Sequence, residues 1–385
     1  MRRFLLGLCL IGCASASKSV GTRAAEVHER AIVVDAHNDI TEAVVYGKYD
    51  FAARHEGTDT DLPRMREGGL DAELFAIWIN PDRVPRERWF QEAEHELVTA
   101  RERLGNITGM ALARTAKDVR DNAARNVTSV LFGVEGGYML APGSSDEMLA
   151  HLRRFAGLGV RYLTLTHSLQ SPLGGSSGDE SDVQGMTDFG YRAIEEMQRL
   201  GIVVDLSHVS DPLFWDAIRV AKKPVIASHS SARTIANVPR NMTDAMLKAV
   251  GKNGGAVCVN FYPGFLDART YAEVRHAADE LKKQDPKFDS LSIGEQRKAI
   301  LRYPIHNVDL GAVADHLQHV AAIAGIDHVC LGSDYDGIPL TPRGLEDVSK
   351  LPNLTAELLR RGMSEADVTK VLGGNLLRVL EANER

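Results

Sequence analysis

Eight short apolar runs recur along the chain, and segments with a helical pattern lie between them. Most runs are near-continuous in Val, Ile and Leu, which is typical of parallel strands buried on both faces. Several intervening segments carry apolar residues at spacings of three and four, after a Ser, Thr or Asp suited to cap a helix. The runs are residues 31–39, 71–79, 129–137, 161–167, 201–208, 224–231, 255–261 and 328–337. The clearest helical segments are residues 145–158, 187–200, 211–221 and 243–252.

Strand and helix alternating eight times predict an α/β fold, the (β/α)8 TIM barrel. The alternative is a doubly wound open sheet, but its Gly-rich phosphate turn after the first strand is absent from the sequence. The stretch between strands 7 and 8 is too long for one connecting helix, so we expect an insertion at about 263–306. Residues 364–382 have the pattern of a closing amphipathic helix.

The N-terminus differs from the rest of the chain. Two arginines and an apolar run at 4–11 precede small residues, which is the pattern of an export signal. The letters LIGC at 10–13 resemble a bacterial lipobox, whereas ASA at 14–16 would serve as an ordinary cleavage site. We therefore predict a signal peptide over 1–13, a polar linker over 14–30 and one domain over 31–385. We expect a protein of the bacterial cell envelope, in contact with a membrane only through a lipid on Cys13, if that residue is processed.

Charge and cysteine content narrow the possible partners. The formal net charge is −7 and acidic and basic residues are mixed along the sequence, so nucleic acid is not an expected partner. Two of the four cysteines lie in the predicted signal region, which leaves Cys258 and Cys330, each inside an apolar run. We expect these two to be buried free thiols rather than a disulfide, even in an oxidising compartment.

Polar side chains stand at the ends of several apolar runs. In a barrel the carboxyl ends of the strands form one rim, which is where active sites of this fold lie. His37 and Asp39 are two positions apart, so they share one face of an extended strand. A single histidine at a strand end is more often structural, but here the pattern recurs. The set comprises His37, Asp39, Glu135, His167, His208, His229 and Asp334.

Imidazole and carboxylate ligands without thiolate suit zinc or another borderline divalent ion. Five of the rim residues form such a set: His37, Asp39, Glu135, His208 and His229. Because a catalytic zinc normally has three protein ligands, five indicate two ions, with Glu135 as the bridge. Two ions can hold a hydroxide between them and polarise a carbonyl or phosphoryl group, which is hydrolase chemistry. Asp35 and Asp205 precede ligands on the same strands and could support them or pack in the core.

An ordered series of motifs resembles the renal, or membrane, dipeptidase family of zinc peptidases over about residues 30–382. The motifs are DAHND, GVEGG, RYLTLTHS, LSHVS, SHSSAR, NVPRNM, VNFY, GSDYDG and GGN. The resemblance implies an amidohydrolase-like (β/α)8 metallopeptidase domain with two Zn²⁺ per chain. His37 and Asp39 match the ligands of one zinc, His208 and His229 match those of the other, and Glu135 matches the bridging carboxylate.

The same resemblance implies the substrate contacts. His167 matches the histidine that polarises the scissile carbonyl, and Asp334 matches the carboxylate that handles the proton. Arg240 matches the arginine that holds the substrate's C-terminal carboxylate, although a surface salt bridge or confusion with Arg233 remains open. Tyr262 lies where the family has a pocket tyrosine, and a core aromatic is the alternative.

We therefore expect zinc-dependent hydrolysis of dipeptides, including those with a C-terminal D-residue, as the family implies. The alternative is an N-acyl amino acid amidohydrolase or a lactonase on the same binuclear barrel; a neutral ester would not need the Arg240 clamp. A non-catalytic lipoprotein that binds peptides or metal is a third hypothesis, disfavoured by the complete ligand set. The family also suggests a homodimer. The loop at 168–173 departs from the family pattern, which leaves substrate preference open.

Overall fold

The computed structural model describes residues 20–179 and 184–385, so the predicted signal peptide and Cys13 lie outside the described residues. Within them, nine parallel strands form one sheet. The strands are β1 Val34–Asn38, β2 Ala72–Ile77, β3 Met110–Leu112, β4 Thr128–Glu135, β5 Val160–Thr164, β6 Val203–Asp205, β7 Ile226–Ala227, β8 Ala256–Val259 and β9 Val329–Leu331. No helix in these two ranges is long and apolar enough to cross a membrane.

Eight of the strands close into a barrel. Strand β2 pairs with β1 on one side and with β4 on the other, and β1 pairs with β9, so the sheet has no open edge at this seam. All eight predicted runs contain a barrel strand, which confirms the (β/α)8 fold. The ninth strand, β3, was not predicted because it has three residues and pairs only along the first residues of β4.

Helices surround the barrel, and the four that the sequence indicated most clearly are present. The α-helices are α1 Val20–Arg30, α2 Thr41–Tyr46, α3 Leu62–Glu67, α4 Trp89–Gly105, α5 Ala116–Ala123, α6 Ser145–Leu158, α7 Asp188–Leu200, α8 Asp211–Val220, α9 Asp244–Asn253, α10 Pro263–Leu266, α11 Ala268–Gln284, α12 Ile293–Ile300, α13 Leu310–Ala324, α14 Leu351–Arg360, α15 Glu365–Thr369 and α16 Asn375–Asn383. Helices α7 and α9 begin one residue later than predicted because Thr187 and Thr243 cap them through their side chains.

The predicted linker is wrong from residue 20 onward, because Val20–Arg30 forms helix α1. Ala24 and Val27 are three residues apart and buried, so one face of the helix packs on the protein. His28 is also buried, with its Nδ1 2.7 Å from the Thr355 hydroxyl and its Nε2 2.8 Å from the Gly68 carbonyl oxygen. These contacts attach α1 to helix α14 and to the end of α3.

The segment between β8 and β9, the seventh and eighth barrel strands, contains helices α10 to α12 before α13 returns to the barrel. It has a small apolar cluster of its own, in which Val274, Leu281 and Phe288 are buried. Arg297 of α12 forms a bidentate ion pair with the buried Asp59, at 2.8 and 2.6 Å. This pair fixes the segment to the loop that follows β1 and α2.

The closing helical segment covers the amino ends of the strands. It was predicted as one helix, and the structure divides it into α15, a π-helical turn at Lys370–Gly374, and α16. Asn375 donates to the Val329 carbonyl at 2.8 Å, and Asn383 donates to the Pro224 carbonyl at 2.9 Å. A Cβ at Gly373 would lie 2.2 Å from the Ile32 carbonyl oxygen, so only glycine permits this close approach.

The free-thiol prediction for Cys258 and Cys330 is wrong, because the two form a disulfide bond. They occupy paired positions on the neighbouring strands β8 and β9, with Cα atoms 4.1 Å apart, and both are fully buried. The pairing depends on strand register, which the sequence does not display.

Candidate metal centre and active site

The carboxyl ends of the barrel strands bring all seven predicted rim residues into one site. Each residue lies at or just beyond the end of a different strand, except that β1 supplies two. The residues are His37 and Asp39 from β1, Glu135 from β4, His167 after β5, His208 after β6, His229 after β7 and Asp334 after β9. The order of the strands around the barrel therefore converts distant sequence positions into neighbours.

Glu135 lies at the centre of the histidines. Its Oε1 atom is 3.0 Å from His208 Nε2, 3.2 Å from His229 Nε2 and 3.4 Å from His37 Nε2. Its other oxygen is 3.9 Å from His167 Nε2. One carboxylate is thus shared among imidazoles from four strands, which is the arrangement that a bridging ligand requires.

Two more carboxylates lie on the His37 side of the site. Asp39 Oδ2 is 3.4 Å from His37 Nε2, and Asp334 Oδ1 is 4.0 Å from the same nitrogen. The His208 and His229 Nε2 atoms are 2.9 Å apart on the other side. Potential ligand atoms therefore form three overlapping groups: His37, Glu135 and His229; Glu135, His167 and His208; and His37, Asp39 and Asp334. Glu135 and His37 each belong to two of them, so the groups join into one continuous cluster, as two neighbouring ions would need.

These residues fit a divalent cation on chemical grounds. His37 Nε2 is fully buried, yet within the described residues it has no aligned hydrogen-bond partner. Burial, followed by the charge of Arg240, holds the pKa of His208 well below its usual range, so this imidazole is in the neutral form that binds metals. Burial disfavours charge on His37, but the negative charges of Glu135 and Asp39 outweigh burial and raise its pKa to about 10. The same surplus of negative charge would attract a metal cation to this position.

The backbone is strained at two of the predicted site residues. His208 and Asp334 both have φ of 65°, in the left-handed region that residues other than glycine rarely adopt. A Cβ at Gly337 would lie 2.0 Å from Asp39 Oδ2, so this turn must also pass close to the carboxylates. Strain of this kind is tolerated where the surrounding structure determines the conformation, and it is common at active sites.

A second ring of groups orients the histidines. His229 Nδ1 is 2.8 Å from the Ser228 hydroxyl, which donates to Asp205 at 2.6 Å. On the opposite side, His37 Nδ1 is 2.7 Å from the Tyr162 hydroxyl. Asp205 therefore supports a predicted ligand through Ser228. The other candidate, Asp35, accepts from the Ser333 backbone N–H at 2.8 Å and so holds the chain beside Asp334.

Five of the seven residues border a cavity of about 360 Å³, which suits a small ligand: Asp39, Glu135, His167, His208 and Asp334. The other two, His37 and His229, are fully buried. Trp78, which the sequence analysis did not single out, lines this cavity and donates its Nε1–H to His167 Nδ1 at 3.3 Å. Because indole only donates, Nδ1 of His167 accepts and its proton resides on Nε2. Burial and the charge of Arg240 lower the pKa of His167 to about 3, so it is a neutral donor toward the site.

The structure distinguishes the two candidate arginines. Arg233 is engaged in a bidentate ion pair with Asp211, both contacts at 2.7 Å. Arg240 donates to the His229 carbonyl at 3.2 Å and lies over the Phe265 ring at 5.1 Å, while its Nε has no partner among the described residues. Arg240 lines a smaller cavity next to the main one, with His208 common to both.

Aromatic and insertion residues complete the wall of the main cavity. Tyr262 lines it and also packs in the insertion's apolar cluster, so both interpretations of this residue describe part of its environment. The insertion contributes five further residues to the wall: Phe265, Asp289, Leu291, Ile293 and Gln296. Beside Asp334, the Asn260 amide donates to its Oδ2 atom at 2.8 Å. Asn260 was not identified from the sequence, because an asparagine near a strand end has many ordinary explanations.

Comparison with known proteins agrees with this geometry. The family model for membrane dipeptidases, peptidase family M19, matches residues 21–385. The chain belongs to the membrane dipeptidase family. As a member, it is a metal-dependent hydrolase that acts on dipeptides.

Relatives of this membrane dipeptidase span nearly its whole length. An uncharacterized dipeptidase from Schizosaccharomyces pombe is 33% identical over 387 aligned positions, covering 93% of this chain and 82% of the relative. The crystal structure of the probable dipeptidase PvdM from Pseudomonas aeruginosa superposes with a TM-score of 0.80 at 24% identity, covering 94% and 98% of the two chains, and supports the fold. A metallopeptidase from Rhodobacter sphaeroides, solved with a phosphinate mimic of L-Ala-D-Ala, has a TM-score of 0.73 at 26% identity, covering 92% and 100%.

Proposed function

We propose that this protein is a dipeptidase with two zinc ions per chain, and that its substrates include dipeptides with a C-terminal D-residue. The observation that carries the proposal is the position of Glu135 Oε1, within 3.4 Å of three histidine nitrogens from three strands. His37 and Asp39 would hold one ion, His208 and His229 the other, with Glu135 shared. Nitrogen and oxygen ligands without thiolate favour zinc among the abundant divalent ions.

The chain's own residues would act around the scissile bond. Two divalent ions held there would polarise the scissile carbonyl and lower the pKa of the attacking water. Asp334 would take a proton and return it to the leaving amine. Its Oδ2 is occupied by the Asn260 amide, which leaves Oδ1, the oxygen nearer His37, available for the proton.

His167 would stabilise the developing oxyanion. Trp78 fixes its tautomer, so the Nε2–H faces the Glu135 side of the cavity. A neutral donor held in this orientation stabilises negative charge without first having to reorient.

Arg240 would hold the free carboxylate of the substrate. Its guanidinium carries donors beyond the one that binds the His229 carbonyl, and a planar fork matches a carboxylate. A clamp at a fixed distance from the metal centre favours dipeptides over longer chains. Tyr262 would pack beside the substrate. The L-Ala-D-Ala mimic bound by the Rhodobacter sphaeroides enzyme supports D-residues as acceptable leaving groups.

The experiment is hydrolysis of L-Ala-D-Ala and L-Ala-L-Ala by purified protein, with metal content measured on the same samples. We expect two zinc ions per chain, cleavage of both dipeptides, loss of cleavage with chelator and its return with added zinc. Glu135→Gln should lower kcat/KM by about 1,000-fold or more, because it removes the shared carboxylate. Glu87→Gln, at an exposed position, is the matched control and should behave as wild type.

Other outcomes would redirect the proposal. Two zinc ions without dipeptide cleavage would favour an N-acyl amino acid amidohydrolase or a lactonase, to be tested with those substrates. Cleavage restored by manganese or cobalt but not by zinc would replace the metal and keep the reaction. A folded wild-type protein that binds no divalent metal would contradict the proposal.

We also propose that the protein is exported to the bacterial cell envelope, is lipidated at Cys13 and forms a homodimer. The N-terminal pattern supports the first two statements and the family resemblance supports the third. Cys13→Ala should move the protein from the membrane fraction to the soluble fraction. A wild-type protein that stays soluble would contradict lipidation, and a solution mass of one chain would contradict the dimer.

A further inference from the structure

Tyr162 extends from strand β5 to a predicted metal ligand on strand β1. Its side chain is fully buried, and its hydroxyl lies 2.7 Å from His37 Nδ1, the ring nitrogen that faces away from the site. The ring occupies space that a side chain on the neighbouring strand would fill. A Cβ at Gly133, the register partner of Tyr162 on β4, would lie 2.0 Å from the tyrosine Cζ.

We infer that Tyr162 is a positioning residue that sets the tautomer and ring orientation of His37, and thereby holds the ion on the His37 side. The inference rests on the metal centre proposed above. A histidine that binds metal through Nε2 carries its proton on Nδ1 and needs an acceptor there. The phenol oxygen of Tyr162 is that acceptor, and the absence of a side chain at Gly133 leaves the ring room to reach it.

The two halves of the site are supported differently. His229 Nδ1 meets the Ser228 hydroxyl, which is bonded in turn to the Asp205 carboxylate. The phenol on His37 is a single group that spans the barrel interior. Removing the Tyr162 hydroxyl should therefore weaken one ion and leave the other, whereas a purely structural role in packing would affect neither ion selectively.

The test uses Tyr162→Phe, which keeps the ring and removes the hydroxyl. Zinc per chain is measured on the loaded protein after equilibration with graded concentrations of a chelator. We expect wild type to lose its ions at high chelator, and the variant to lose one ion at a 10- to 100-fold lower concentration, the usual effect of removing an outer partner of a ligand. Tyr138→Phe is the matched control, because Tyr138 is equally buried and donates to the Ile79 carbonyl at 2.7 Å.

Two further variants identify the ion. Asp39→Asn removes a ligand from the His37 side, so adding Tyr162→Phe to it should cause little further loss of zinc. Ser228→Ala should weaken the ion on the other side, and combined with Tyr162→Phe it should affect both. The thermal midpoint of each metal-free variant is recorded to separate metal binding from folding.

The outcomes distinguish this inference from the proposed function. Two zinc ions in wild type and an unchanged chelator profile in Tyr162→Phe would overturn the positioning role and leave the dipeptidase proposal intact. Equal loss of both ions, with a lowered thermal midpoint of the metal-free protein, would make Tyr162 a packing residue and also overturn the inference. No zinc in folded wild type would refute the proposed function itself.

Discussion

The two ends of the barrel strands contain opposite kinds of residue, although the same strands supply both. At the carboxyl ends, Glu135, His37 and Asp334 are buried beside one another with charges that the protein alone does not balance. At the amino ends, apolar residues of the strands pack with Leu376 and Leu380 of helix α16. The difference indicates that the buried charged groups at the rim destabilise the fold, as active sites commonly do, and that apolar packing at the amino ends of the strands offsets this cost.

This comparison predicts that activity and stability can be separated by position. The largest expected effect is at the rim. Asp334→Asn should lower kcat by about 1,000-fold, because an amide cannot take and return a proton. Zinc content should be unchanged, and the metal-free protein should be no less stable, because a buried carboxyl group beside Asp39 is replaced by a neutral amide. A kcat within tenfold of wild type would remove Asp334 from the proton pathway.

The next effect is at the base. Leu376→Ala should lower the free energy of unfolding by about 2–5 kcal/mol, because Leu376 is fully buried in the cluster that α16 forms with the strands. The measurement is urea-induced unfolding, with kcat determined on folded enzyme, where we expect the wild-type value. Leu301→Ala, at a leucine that is 58% exposed, is the control and should change stability little. A large loss of kcat in Leu376→Ala would show that the two ends are coupled.

A smaller effect concerns recognition at the rim. Wild type should prefer a dipeptide over the same dipeptide with a C-terminal amide by about 100-fold in kcat/KM, because Arg240 binds the charged carboxylate. Arg240→Met keeps a long apolar side chain over Phe265. In this variant kcat/KM should fall for the dipeptide with a free carboxylate and stay unchanged for the amide, so the preference disappears. A preference that survives in the variant would place the carboxylate clamp elsewhere.

The smallest effect is a pH dependence of stability at His316, a residue of helix α13 outside the metal centre. His316 is fully buried; its Nδ1 accepts from the Ala232 N–H at 3.0 Å, and its Nε2 donates to the Leu266 carbonyl at 3.1 Å. Burial lowers the pKa of His316 to about 4. The hydrogen bond to Leu266 and the charge of Asp315 raise this pKa, and the charge of His319 lowers it further, but burial is the largest cause. Since the unfolded state binds the proton first, His316 should cost about 2 kcal/mol of stability as the pH falls from 7 to 5.

The check for this effect is a difference between two proteins. A glutamine can make both of the His316 hydrogen bonds and does not titrate, so the stability advantage of wild type over His316→Gln should shrink by about 2 kcal/mol from pH 7 to pH 5. Taking the difference removes the contribution of the other histidines. An advantage that is constant with pH would show that His316 does not titrate in this range.

Much of the fold could be predicted because strands of a buried parallel sheet appear in the sequence as continuous apolar runs. The rim residues were equally visible, since each polar group interrupts such a run at the same relative place. Helix α1 was missed because its apolar face is only Ala24 and Val27 within a polar segment. The Cys258–Cys330 disulfide was missed because it depends on the pairing of two strands separated by 72 positions.

Two residues beside the site were missed for a different reason. Trp78 and Tyr162 are aromatic side chains at or near apolar runs, and nothing in the sequence separates them from ordinary core residues. Their roles follow from which nitrogen of which histidine they approach, at 3.3 and 2.7 Å. Information of this kind exists only after the barrel has closed.

The insertion supplies five side chains to the wall of the main cavity and none of the seven rim residues. Part of the wall that contacts the substrate is therefore encoded apart from the residues that would carry out the reaction. Residues 289–296 can diverge under selection for new substrates while the catalytic ends of the strands are inherited unchanged. A chimaera that carries this stretch from a relative would transfer preference between dipeptides without rebuilding the chemistry.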